Sequence, residues 1–262
     1  MKIESVHGRR IWDSRGRPTV EVEIALRGGA TGRGIAPAGA SRGSNEAIDL
    51  RDGGSALGGF GVDRALANVN GPIRAALLGF DAANQAGLDK ILIGLDGTSN
   101  KSKLGGNATI ATSLAALHAA AAAAEEPLWR YLAAGAAVRL PLPEIQIFGG
   151  GAHAARRVDV QDFLIMPLGA QSFDEALFMT AEVYRAAGEL MAARGSRMGV
   201  ADEGGFWPDF ASNEEALETL VRSIEAAGYK NGEVRISLDI AASEFGRNGR
   251  YKVEGRDHDT DG

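Results

Sequence analysis

A few residues in this sequence have the types and settings that acid–base and metal chemistry requires. In VADEGGFWPDF (200–210) two adjacent acids, Asp202 and Glu203, precede a Gly-Gly pair. Asp and Gly are also the ordinary residues of a solvated turn, so the stretch alone leaves turn and catalytic loop both open. In GGGAHAARRVDVQDF (149–163) His153 follows three glycines, on backbone that can approach a ligand closely, and Asp162 comes nine residues later. In VRISLDIAAS (234–243) a nearly continuous apolar run ends on Asp239. An acid at the carboxyl end of a buried strand stands where (β/α) barrels collect metal ligands and catalytic groups, although a cap or turn acid is the competing reading. One histidine and three carboxylates (Asp162, Glu203, Asp239), in a chain without cysteine, favour a hard cation such as Mg²⁺. His118, inside an Ala-rich segment, reads as a packed or half-exposed histidine without a role.

The elements that must position these groups fall into two halves. TVEVEIAL (19–26) alternates apolar and polar residues as a half-buried strand does, and DSRGRP (13–18) supplies a hairpin turn before it. The Gly-rich RGGATGRG reads as a connection into IAPAGASRGSNEAIDLRDGG, which reads as a mobile loop. Three or four helices follow, among them 62–78, broken near Gly71-Pro72, and an Ala-rich helix over 106–124. GAAVRLPLP (135–143) reads as a linker. Beyond it, VDVQDFLIMP (158–167) is strand-like, and helices over 173–193 and 213–227 open with the capping boxes Ser172/Glu175 and Ser212/Glu215. Leu217, Leu220, Val221 and Ile224 give the second of these its apolar face. With VRISLDIAAS as a buried parallel strand, the second half reads as parallel α/β.

The 262 residues are 45% hydrophobic and 24% charged, the balance of a globular protein. The net charge of −6 and scattered basic residues argue against nucleic acid as a partner. AALHAAAAAA is too short and weakly apolar to span a bilayer, so no membrane partner is expected. The N-terminus has no secretory h-region, and a cytoplasmic protein is expected.

Six segments, IWDSRGRPTVEVEI, APAGASRGSNEAIDLRDG, LDGTSNKSKLGGNA, GGGAHA, VADEGG and SLDIAASEF, stand in the order and approximate spacing of enolase, the 2-phosphoglycerate dehydratase of glycolysis. The chain resembles that family over essentially its whole length. The resemblance implies an α+β N-terminal domain (1–138) and then the first part of an enolase-type (β/α)₈ barrel (139–262), opening with two strands and two helices. It also implies Mg²⁺, a small phosphorylated acid as substrate and a homodimer or higher homo-oligomer. By the same resemblance Ser41, in the loop with Gly39 and Ala40, ligates a second Mg²⁺ when the loop closes, and His153 contacts substrate. Glu203 matches the carboxylate that assists loss of the 3-hydroxyl, with Asp202 supporting its loop. Asp239 matches the first of three acidic ligands of the tighter metal.

The sequence departs from the family in several places. A barrel takes about 250 residues, and only half that number follow the linker, so the barrel is expected to be incomplete. The family's catalytic lysine, two further metal carboxylates, a second histidine and a second lysine belong beyond residue 262. Dehydratase activity is therefore expected to need residues absent from this chain. GRDHDTDG, at the end, is read as polar and without a strand or helix. Where the family has Gln-Glu-Phe, this chain has Gln161-Asp162-Phe163. The shorter acid retracts its carboxylate by about 1.5 Å, and a misplacement of about 1 Å can cost ~10²-fold in rate. Gly149 stands where Asn is usual, Trp207 where a small residue is usual, and Arg42 where Thr is usual. Two alternatives thus stand beside the enolase reaction: a paralogue acting on a related phosphonate or phospho-acid, and a non-catalytic binding or scaffold protein.

Overall fold

The computed structural model describes residues 1–230 and 232–260. They group into two compact units, one of residues 1–39 and 45–138, the other of residues 40–44 and 139–262.

The first unit is a three-stranded antiparallel sheet of β1 (Ile3–Trp12), β2 (Pro18–Leu26) and β3 (Thr31–Ala36), covered by helices. Asp13 makes the β1–β2 turn, its carboxylate accepting the Arg15 and Arg17 amides at 2.9 and 2.8 Å. Strand β2 is buried nearly throughout rather than on alternate residues, because it is the central strand. Its inward acid, Glu21, is held by the Arg9 guanidinium. The TGRG expected to be connection is strand β3. Its glycines are contact points for α4 (Gly106–Ala123). A Cβ at Gly32 would stand 2.7 Å from the His118 carbonyl carbon, and one at Gly34 2.6 Å from the Ala115 amide nitrogen. The alanines of α4 and the glycines of β3 thus let two backbones pack against each other, a use of small residues that composition alone does not reveal. The helix broken at Gly71-Pro72 is continuous: α1 (Asp63–Asn68) passes through a π turn at Val69–Ile73, which absorbs the proline, into α2 (Arg74–Leu77). Helices α3 (Gln85–Asp96) and α5 (Leu128–Ala133) complete this layer.

The second unit opens with β4 (Ile145–Gly149) and β5 (Asp162–Met166). Helices α6 (Phe173–Ala193) and α7 (Asn213–Ala226) follow, and then β6 (Arg235–Asp239). Both N-caps form as expected, the Ser172 and Ser212 hydroxyls accepting the Glu175 and Glu215 amides at 3.1 Å. The sheet order is β4-β5-β6, and every pairing is antiparallel, which corrects the parallel expectation. One helix between two strands returns the chain to its starting end and makes the strands parallel. Here two helices stand between β5 and β6, so the chain re-enters the sheet from the opposite end. Among the described residues β6 lies at the edge of the sheet, with Leu238 38% exposed, rather than as a buried central strand. Val221 likewise faces outward, while Leu220 and Ile224 are buried.

Among the described residues this unit contains no closed barrel. A meander of β7 (Gly246–Arg247), β8 (Arg250–Val253) and β9 (Arg256–His258) follows, and β9 lies within the GRDHDTDG stretch that was expected to lack strands. Asn248-Gly249 and Glu254-Gly255 hold positive φ at both turn positions, as two-residue hairpin turns require. Asp261 and Gly262, which end the GRDHDTDG stretch, lie outside the described residues. No described helix is long and apolar enough to cross a membrane.

Candidate active site

Sheet register collects the chemistry at one end of the second unit. Gly149, Asp162 and Asp239 are direct partners across the three strands, so the last residue of β4, the first of β5 and the last of β6 form one row. The 199–206 segment joins that row from the other edge of β4. Phe206 bridges β4 in parallel, its amide donating to the Ile147 carbonyl at 2.8 Å and its carbonyl accepting the Gly149 amide at 3.2 Å. Helix α6 braces it: the Tyr184 ring stacks on Phe206 at 4.3 Å, and the Tyr184 hydroxyl donates to the Gly204 carbonyl at 2.8 Å. The chain from Ala201 to Gly205 closes into a tight turn, the Ala201 amide donating to the Gly205 carbonyl at 2.7 Å. Glu203 sits at the tip of that turn, more than half exposed.

His153 is held by the Gly151–Ala154 turn that follows the three glycines, and its ring is buried. Its Nε2 lies 3.7 Å from both Asp162 Oδ1 and Glu203 Oε1. Ligand atoms of these three side chains all fall within 4.8 Å of one another, a spacing that could hold a metal ion. The other ring nitrogen, Nδ1, is buried with no hydrogen-bond partner among the described residues. A buried polar atom left unpaired is costly and marks capacity held for a ligand.

Two glutamines, not singled out in the sequence, hold the acids. Gln146, on β4, donates through Nε2 to Asp162 Oδ1 and, at 3.4 Å, to Glu203 Oε2, while its Oε1 accepts the Gly205 amide at 2.9 Å. Gln161 donates to Asp162 Oδ2 at 3.5 Å and to Asp239 Oδ2 at 3.3 Å. Burial pushes the Asp162 carboxyl above the ordinary carboxylate range, against the lowering effect of the Gln146 bond and the neighbouring His153. Gln146 had one sequence signal, a polar residue inside the apolar LPLPEIQIF run.

The expected residues His153, Asp162 and Glu203 therefore meet. Asp239 stands in the same row but turns to Gln161 and to the Ala241 amide, which donates to its Oδ1 at 3.0 Å. Asp202 is exposed on the Glu203 turn. Ser41 and Ala40 are half-buried and Gly39 exposed in the irregular segment after β3, and they take no part in these hydrogen bonds.

Residues 3–132 match the family model described as "Enolase, N-terminal domain", and residues 137–262 match "Enolase, C-terminal TIM barrel domain". The chain belongs to the enolase family. Membership carries that family's lyase chemistry and its general dependence on metal. Within this enolase-family chain the donor chemistry fits a hard cation, since Asp239 brings carboxylate oxygens to the end of β6. The His153, Asp162 and Glu203 group offers a second, mixed nitrogen and oxygen set.

Proposed function

We propose that this site takes part in the enolase reaction, the loss of water from 2-phosphoglycerate to give phosphoenolpyruvate. The observation that carries the reading is the meeting of His153, Asp162 and Glu203 at one end of the β4-β5-β6 sheet, in a chain matched over both domains by enolase models. In this reaction the α-proton leaves to a base, and the 3-hydroxyl leaves with a second proton as water. In this reading Glu203, on an exposed turn tip and hydrogen-bonded at its other oxygen to Gln146, supplies that second proton. By the same reading His153, whose Nε2 faces Asp162 and Glu203, is the substrate-contacting histidine. Asp162, buried 3.7 Å from its Nε2, supplies negative charge beside the ring when ionised. In this reading Asp239 and Ser41 are the oxygen donors for Mg²⁺, which when bound supplies positive charge against the substrate carboxylate. A cytoplasmic homo-oligomer belongs to the same reading.

A second reading, turnover of a related phosphonate or phospho-acid, is favoured by two features. The acid at 162 is one methylene short, and position 149 has no side chain. Both readings are tested by offering the full-length protein 2-phosphoglycerate and a phosphonate analogue with Mg²⁺ and following formation of the enol product. Turnover of the first compound supports the main reading, preference for the second replaces it, and turnover of neither by the full-length protein contradicts both.

A further inference from the structure

We infer that Gln146 is a positioning residue of this site: its one amide sets the places of the Asp162 and Glu203 carboxylates, and the glycine at 149 and the short acid at 162 are accommodations to it. This rests on the enolase-type reading of the three groups.

The orientation of the amide is fixed by its partners. The Gly205 N–H can only donate, so it requires Oε1, and Nε2 is thereby turned toward the two carboxylates. Each hydrogen of Nε2 then has an acid to meet, and the buried amide has no spare donor. Placement of the two acids is coupled through one rigid, neutral group. The group that holds them carries no charge. Gln161 repeats the device between Asp162 and Asp239.

The amide needs room, and two glycines give it. A Cβ at Gly149 would stand 2.6 Å from the Ala201 Cβ and 3.1 Å from Gln146 Oε1. A Cβ at Gly205 would stand 2.9 Å from both Gln146 Cγ and Cδ. Any side chain at 149 thus collides with the amide or with the turn that carries Glu203. The acid at 162 has to match as well. Gln146 already reaches Asp162 Oδ1 at full hydrogen-bonding contact. A glutamate there would push its carboxylate into the amide by about 1.5 Å, one carbon–carbon bond. Two departures that look independent in the sequence therefore answer to a single side chain.

The test is a length exchange: Gln146→Asn, Asp162→Glu and the double variant. Each single change should lower kcat by about 10- to 10²-fold with a smaller effect on KM, since a misplacement near 1 Å costs about that much. The double variant moves one methylene from the amide to the acid and restores the contact between them but not the amide's contact with Glu203, so kcat should rise clearly above both single variants while staying below that of the unsubstituted protein. The ¹⁵N signals of the His153 ring provide a second readout that needs no turnover: both single variants should move them, and the double should restore them. A double variant no better than the worse single, with His153 signals still displaced, overturns the proposal. Recovery of the melting temperature alone also overturns it, because Gln146 would then only satisfy buried polar groups. If the unsubstituted protein turns over neither compound of the panel above, the reaction is wrongly assigned, and the His153 signals still decide the positioning role.

Discussion

Gly205→Ala perturbs the site through a single added carbon. The backbone at 205 lies outside the left-handed region, so alanine is conformationally acceptable there. The cost is steric. The new Cβ would stand 2.9 Å from both Gln146 Cγ and Cδ, whereas relaxed carbon–carbon contacts begin at about 3.5 Å. Gln146 must retreat by at least roughly 0.6 Å or leave its rotamer. Its bonds to Asp162 and Glu203 lengthen or break, and Asp162 has little access to replacement water. Losing a hydrogen bond to a charged group costs about 1.5–3 kcal/mol, and a displacement of this size should cost about 10- to 10²-fold in kcat. The assay is kcat for 2-phosphoglycerate beside the unfolding free energy in urea. Gly94→Ala is the control, because nothing lies within 4 Å of a Cβ there and the site is an exposed helix position. It should stabilise by up to about 1 kcal/mol and leave kcat unchanged. Lost stability in Gly205→Ala with undiminished kcat would refute the reasoning, since the acids would then tolerate a displaced amide.

Three further outcomes follow from particular contacts. Gly34→Ala should destabilise the first unit by about 3 kcal/mol or more, because a Cβ there meets α4 backbone at 2.6 Å that cannot swing aside; unfolding monitored by Trp12 and Trp129 fluorescence checks it. Burial holds the Asp162 carboxyl pKa above its unfolded value, so its contribution to stability is present below the unfolded pKa and is lost as pH rises through the folded one. The melting temperature of Asp162→Asn relative to the unsubstituted protein should therefore rise between pH ~4 and pH ~8, and a flat difference would contradict the burial argument. Asp239→Asn should weaken Mg²⁺ binding in isothermal titration while Glu203→Gln leaves it nearly intact, and equal affinities would remove the metal role from Asp239.

What the sequence showed and what it hid have physical reasons. The β1–β2 hairpin, α4, α6 and α7 were legible because their signals are local: a turn built on Asp13, alanine propensity, and Ser-x-x-Glu caps at 172 and 212. His153 and Glu203 stood out because glycines flank them. The antiparallel sense of β5 and β6 depends on two intervening helices rather than one, and strand composition does not report that. Strand β3 was hidden because its glycines answer to α4, some eighty residues away in sequence. The closing meander had its signal in Asn248-Gly249, a hairpin dipeptide set among polar residues. Gln146 was passed over because its one signal, an amide in an apolar strand, acquires meaning only when β5 and the 199–206 turn stand beside it.

The central claim, that Glu203 is the proton donor of an elimination site built with His153 and Asp162, is tested most directly by Glu203→Gln in the 2-phosphoglycerate assay of the full-length protein, with deuterium exchange of the substrate α-proton followed in the same samples. Glutamine keeps the length and the contact with the Gln146 region but has no proton to give. The account predicts that product formation falls by about 10²-fold or more while exchange of the α-proton persists, since only departure of the hydroxyl is blocked. Product formation within about tenfold of the unsubstituted protein would contradict it.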